Sequence, residues 1–171
     1  MTEIPVFVKL GAMLPSTPLR LGKSVGQASR PLEELEFTIY GVPAAKASGT
    51  ASVYEDDGNS TAYVTSKTFA RTIGHYTLDD GMLTFSVSSA AAGDDGELDA
   101  GLPLPAAIPA ARPYTLKLVN AMPPTSVTVD GKPVPFSRYP PSRDPTEFYH
   151  TRSGHFWGIA SWSNPLRGRS V

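Results

Sequence analysis

The chain has 171 residues, enough for one well-cored domain or two small ones. Charged residues are 18% of the chain and the formal net charge is -1, so no basic field gathers nucleic acid or anionic lipid. With no cysteine, disulfides, thiolate metal ligands and a Cys nucleophile are excluded.

The N-terminal stretch MTEIPVFVKLGAMLP has an acid, no basic leader and only a short apolar run broken by Pro5 and Lys9. It reads as neither a signal peptide nor a membrane span, and no other run approaches span length. Seventeen prolines and 15 glycines punctuate the chain and argue against long helices. The periodic segments are short and rich in Val, Thr, Tyr and Phe, which predicts strands.

Residues 4–9 read as a first strand, followed by a Pro-, Gly- and Ser-rich loop over 16–30. LEFTIY at 35–40 predicts a strand with Leu35, Phe37 and Ile39 on one face. Strands at 51–54, 61–65 and 69–78 follow, the first ended by Asp56-Asp57-Gly58. Asp80-Gly81 predicts a tight hairpin, because both residues tolerate the positive φ of a primed turn. Residues 88–112, rich in Ala, Gly, Pro and Asp, read as a long surface insertion with room for a short helix. Alternation resumes at 113–120, where Tyr114, Leu116 and Leu118 share a face. Segments 126–129 and 132–135 flank a second Asp-Gly turn at Asp130-Gly131, strands at 147–150 and 155–162 come last, and the basic tail 163–171 reads as frayed. Many short strands joined by turn signals predict an all-β chain, a β-sandwich.

Few residues invite chemistry. Glu55, Asp56 and Asp57 form the densest carboxylate cluster. Neighbours on one turn do not face each other across a sugar, as the acid pair of a glycosidase must, so they read as turn caps, with a Ca²⁺ site as the alternative. Asp94, Asp95, Glu97 and Asp99 read as a solvated loop without EF-hand spacing. His75, His150 and His155 lack the i, i+4 spacing of a zinc-protease pair. No G-x-S-x-G elbow is present, and Gly22-Lys23-Ser24 lacks the earlier glycine of a phosphate loop. Tyr139, Trp157 and Trp162 mark an aromatic-rich end that serves either the core or a carbohydrate. The odd spacing of Trp157 and Trp162 would put them on opposite faces of a regular strand. No cofactor is implied.

Two strings carry a resemblance. IPVFVKLGAMLP at 4–15 resembles the segment of glycoside hydrolase family 31 that follows the catalytic barrel and runs through the proximal C-terminal sandwich. VYEDDG at 53–58 resembles the string linking that sandwich to the distal one. Ala70-Arg71-Thr72 entering a hairpin, RPYTLKL at 112–118 and PTSVTVDGKP at 124–133 follow in the order of the family's distal domain. The resemblance implies a partial proximal sandwich over 1–53, a distal sandwich over 54–162 with its insertion at 88–112, and a tail at 163–171. It also implies an α-glucosidase-like parent whose nucleophile and acid/base, both barrel aspartates, lie upstream of the first string and have no counterpart here. Three readings follow: a non-catalytic C-terminal module that buttresses a catalytic barrel in cis or in trans, a remnant reused as a structural subunit among other proteins, or a carbohydrate-binding module.

Overall fold

The computed structural model describes residues 6–17, 31–42, 46–109, 111–122, 124–137, 148–150, 156–165 and 169–170. Thirteen strands and one helical turn appear among them: β1 Ala12–Ser16, β2 Leu35–Tyr40, β3 Ala47–Glu55, α1 Ala62–Thr65, β4 Ala70–Asp79, β5 Met82–Ala92, β6 Leu98–Asp99, β7 Ala111–Val119, β8 Thr128–Val129, β9 Lys132–Pro133, β10 Phe136–Ser137, β11 Phe148–His150, β12 Phe156–Pro165 and β13 Arg169–Ser170. They form a β-sandwich. One sheet has the order β1-β2-β7-β12-β11-β10; the other runs β13-β5-β4-β3, with β6 also on β5; β8 and β9 make a separate ribbon.

The alternation in sequence becomes the sandwich interior. Leu35, Phe37 and Ile39 of β2 and Tyr114, Leu116 and Leu118 of β7 lie side by side in parallel register, and all six are buried. From the facing sheet, Tyr76 of β4 and Phe85 and Val87 of β5 pack into the same cluster. The Phe37 and Phe85 rings meet between the sheets with centroids 5.5 Å apart, tilted by 56°. Gly74 makes room for that contact: a Cβ there would sit 2.7 Å from the Phe37 ring. Tyr76 adds a polar tie, donating its hydroxyl to the Gly11 carbonyl at 2.6 Å.

Both Asp-Gly turns form as expected. Asp80 and Gly81 have φ of 47° and 76°, and Asp130 and Gly131 have 51° and 74°, the two successive left-handed residues of a type I′ turn. The β4–β5 ladder above the first turn runs unbroken from Asp79↔Met82 to Ala70↔Ala91.

Several expectations are corrected. Residues 6–9 are not strand: the first strand begins at Ala12, after a turn in which the Ala12 N–H donates to the Lys9 carbonyl and Gly11, at φ 77°, redirects the chain. Residues 62–65 form a helical turn instead of a strand, closed by Thr65 N–H to Thr61 O and Ser66 N–H to Ala62 O. The insertion is shorter than 88–112, because β5 continues through the alanines to Ala92 and β7 begins at Ala111. No helix forms among the described residues of that Ala-rich part. The tail is not simply frayed, since β12 runs to Pro165 and Arg169–Ser170 pairs with β5 in the opposite sheet. β2 pairs with β7, and one cluster holds Met13, Leu35, Phe37 and Ile39 with Tyr76, Phe85 and Leu116. The expected loop 16–30 falls mostly outside the described residues.

Two substitutions test this core. Phe37→Ala should lower unfolding stability by about 3–5 kcal/mol through loss of a fully buried ring. Gly74→Ala, which only adds a methyl, should cost about 1–3 kcal/mol by overpacking against Phe37. Urea denaturation of each variant checks both.

Candidate functional site

The most concentrated polar chemistry in the described residues lies inside the sandwich. The alternation of β7 that buries Tyr114, Leu116 and Leu118 also turns Arg112 inward, to 1% exposure. The alternation of β3 does the same for Glu55 at its end. The guanidinium grips the carboxylate with two bonds, Nη1 to Oε1 and Nη2 to Oε2, each 2.6 Å. Nη2 also donates to Thr72 Oγ1 at 2.6 Å, Nη1 to the Leu32 carbonyl at 2.9 Å and Nε to the Tyr114 hydroxyl at 3.3 Å.

Proton counting orients the rest. Thr72 Oγ1 donates to Glu55 Oε2 at 3.0 Å. A hydroxyl has one proton, so Ser89 Oγ, 2.8 Å from Thr72 Oγ1, is the donor of that pair. No buried side-chain nitrogen or oxygen among the described residues lacks a partner. Burial by itself would lower the Arg112 pKa, but the hydrogen bonds to Glu55 and Tyr114 and the carboxylate charge outweigh it and hold the guanidinium above its ordinary value. Burial pushes the Tyr114 phenol up, so it stays neutral.

The Glu55–Asp57 cluster, read from sequence as turn caps with calcium as the alternative, is divided among separate partners in the fold. Both Glu55 oxygens are spent on Arg112, and the rest of the cluster turns away to build the loop after β3. Asp56 Oδ1 accepts from the Gly58 N–H at 2.8 Å. Asp57 accepts from the Asn59 and Ser60 amides at 3.1 and 3.0 Å and from the Ser60 hydroxyl at 2.5 Å. The Ser60 hydroxyl, then the two amides, hold the Asp57 carboxyl below its ordinary value. Among the described residues, no three His, Asp or Glu side chains group to hold a metal ion. In the acidic loop, Asp95 accepts from the Glu97 amide and Asp99 from the Gly101 amide, both as turn caps.

Of the aromatic residues singled out from sequence, Tyr139 lies outside the described residues. Trp157 and Trp162 lie in β12, opposite Leu118 and Tyr114 of β7. The register shifts between Ile159 and Trp162, where three steps along β12 match two along β7. That irregularity breaks the regular-strand premise by which odd spacing separates the two tryptophans. A different aromatic pair reaches the surface: exposed Tyr54 stacks on half-buried Phe69 at 5.4 Å, and Arg71 lies 5.9 Å from the Tyr54 ring centre. Partial burial, then the neighbouring Asp56, push the Tyr54 phenol up to about 12.

The pairing of Arg112 with Glu55 escaped the sequence reading because the two stand far apart in the chain, yet strand phase could have found it. Arg112 shares the even phase of Tyr114, Leu116 and Leu118, and Glu55 the odd phase of Ala51 and Val53.

The network predicts a specific pattern of stabilities. Arg112→Ala leaves a buried carboxylate unpaired and should cost roughly 3–5 kcal/mol, whereas the double variant R112M/E55L should recover most of that loss in the same urea titration. At the turn, a carboxyl lowered on folding stabilises above its unfolded pKa, and that contribution disappears as pH falls through the folded value. The Asp57 side chain should therefore titrate by NMR below its ordinary 3.8, and Ser60→Ala should move it back toward that value.

No family model and no curated protein matches the sequence. Among solved structures, the fold is similar to part of a GH31 dextranase of Flavobacterium johnsoniae, with a TM-score of 0.66 and 17% identity over 95% of this chain and 19% of the dextranase. It is also similar to part of the α-1,4-glucan lyase of Gracilariopsis lemaneiformis, with a TM-score of 0.53 and 14% identity over 80% of this chain and 13% of that one. The chain spans about a fifth of the dextranase's length, and what it shares with these enzymes is the fold of that region.

Proposed function

We propose that the chain is the non-catalytic C-terminal β-sandwich module of an α-glucosidase-like GH31 glycoside hydrolase, supporting the catalytic barrel. The observation that carries this reading is a coincidence of two independent kinds. The chain bears strings resembling the segments after the family's barrel, and nearly its whole length folds like a minor share of a GH31 enzyme.

The chemistry of its acids supports the same role. Glycoside hydrolysis needs two carboxyl groups facing each other across the sugar, about 5 Å apart for retention or up to roughly 9.5 Å for inversion. Glu55 is instead neutralised by Arg112 in the interior, and Asp57 is bound within its own turn. Each carboxylate is thus engaged by partners within the fold, which suits a supporting module.

Two measurements test the assignment. The protein from its native source should have an intact mass well above 18.2 kDa, or travel in a fixed ratio with a barrel-bearing chain. Recovery as a free 18.2 kDa monomer would overturn it. The purified 171-residue chain should not turn over 4-nitrophenyl α-glucoside above the blank, and turnover by pure material would be equally fatal.

A further inference from the structure

The loop after β3 carries a motif that neither the core nor the proposed function uses. It reads Gly58-Asn59-Ser60-Thr61-Ala62. Asn59-Ser60-Thr61 has the form N-x-T without proline at the middle position, which is the acceptor triplet for N-linked glycans. Of the chain's three asparagines, only Asn59 heads such a triplet: Asn120 is followed by Ala121-Met122 and Asn164 by Pro165-Leu166.

A triplet is useful only where a transferase can reach it, and this loop meets that condition. Asn59, Ser60 and Thr61 are all exposed, and the following turn α1 buries none of its residues. The acids before the triplet hold its backbone. Asp56 accepts from the Gly58 amide, and Asp57 accepts from the Asn59 and Ser60 amides and the Ser60 hydroxyl. The two side chains that the transfer needs are left over. Among the described residues Asn59 is held by its backbone amide alone. Thr61 stands at the N-cap of α1, where a threonine hydroxyl ordinarily binds a free amide of the first turn, yet it makes no cap bond. The fold thus accounts for the side chains of Asp56, Asp57 and Ser60 but not for those of Asn59 and Thr61.

We propose that Asn59 is an N-glycan acceptor. Its Nδ2 attacks the anomeric carbon of a lipid-diphosphate-linked oligosaccharide. The N–C bond forms, the bond from that carbon to the diphosphate oxygen breaks, the lipid diphosphate leaves, and a base of the transferase takes the amide proton. The Thr61 hydroxyl is the second point by which the triplet is recognised. The result is a bulky, solubilising surface group at the end of β3. Transfer requires the chain to enter the compartment that holds the oligosaccharide donor. The segment directing entry need not lie within these 171 residues, because the module reading above makes them part of a larger protein, and on that point alone the inference rests on it.

Peptide mapping of the protein from its native source tests the proposal. The peptide containing Asn59 should carry an oligosaccharide, and a peptide-N-glycosidase should release it and leave aspartate at that position. An unmodified Asn59 would overturn the proposal whatever the size of the native protein. The module reading is tested apart from it by the intact mass after release. A protein larger than 18.2 kDa with a bare Asn59 would sink the glycan and keep the module, and a glycosylated protein that returns to 18.2 kDa would do the reverse. Variants made in the native host separate the triplet from the shape of the loop. Asn59→Gln and Thr61→Ala should abolish the glycan, and Thr61→Ser should keep it. Ser60→Ala should also keep it, because it removes the hydroxyl bonded to Asp57 but preserves the N-x-T form. A glycan that survives in T61A, or is lost in S60A, would refute the assignment.

Discussion

The sandwich is organised around one ion pair. Moving two charges out of water costs several kcal/mol for each ion, and mutual attraction repays this only when the geometry is good and the remaining polar atoms are satisfied. Here the geometry is a two-pronged grip of Arg112 on Glu55, and Thr72, Ser89, Tyr114 and the Leu32 carbonyl complete the shell. Arg112 comes from β7 in one sheet and Glu55, Thr72 and Ser89 come from three adjacent strands of the other. The pair therefore couples the sheets to each other, which strand hydrogen bonds cannot do.

The same constraint fixes register. A slip of one residue in β3 against β4 would turn Glu55 to the outer face and leave the guanidinium alone inside. An apolar core tolerates approximate packing, since several hydrophobic arrangements have similar energy. A buried charge pair tolerates only the arrangement that satisfies it. The interior thus divides in two. The Phe37–Phe85 contact with Gly74 beneath it belongs to the dry packing, and the Arg112–Glu55 cluster selects which packing is adopted.

The parts legible in the sequence were those set by local rules. LEFTIY needs only period-two alternation, and Asp80-Gly81 and Asp130-Gly131 need only the tolerance of those residues for positive φ. What escaped depended on distant partners. Residues 6–9 are rich in strand formers, but the strand pairing with β2 begins only at Ala12. Thr61–Thr65 is rich in strand formers, yet Ser60 Oγ accepts from the Ala62 amide just ahead of the helical turn. The alanines at 90–92 look like loop or helix until their ladder to β4 is known. The extra residue in β12 leaves no mark in the local sequence. The acidic cluster at 55–57 was visible, but its meaning waited on an arginine 57 positions away.

The two strings that carry the family resemblance do opposite physical jobs. In VYEDDG, three consecutive acids meet different fates: Glu55 enters the core, Asp56 caps the Gly58 amide, and Asp57 gathers Asn59 and Ser60. Each fate is required by a backbone or charge partner of this sandwich, so the string records how β3 ends and how the sheets lock. IPVFVKLGAMLP runs the other way. Its described residues place Met13 in the core and leave Val6, Phe7, Leu10 and Leu14 outside it. The acidic string thus fixes the lock between the sheets, whereas the apolar string contributes Met13 to the core and leaves Phe7 92% exposed.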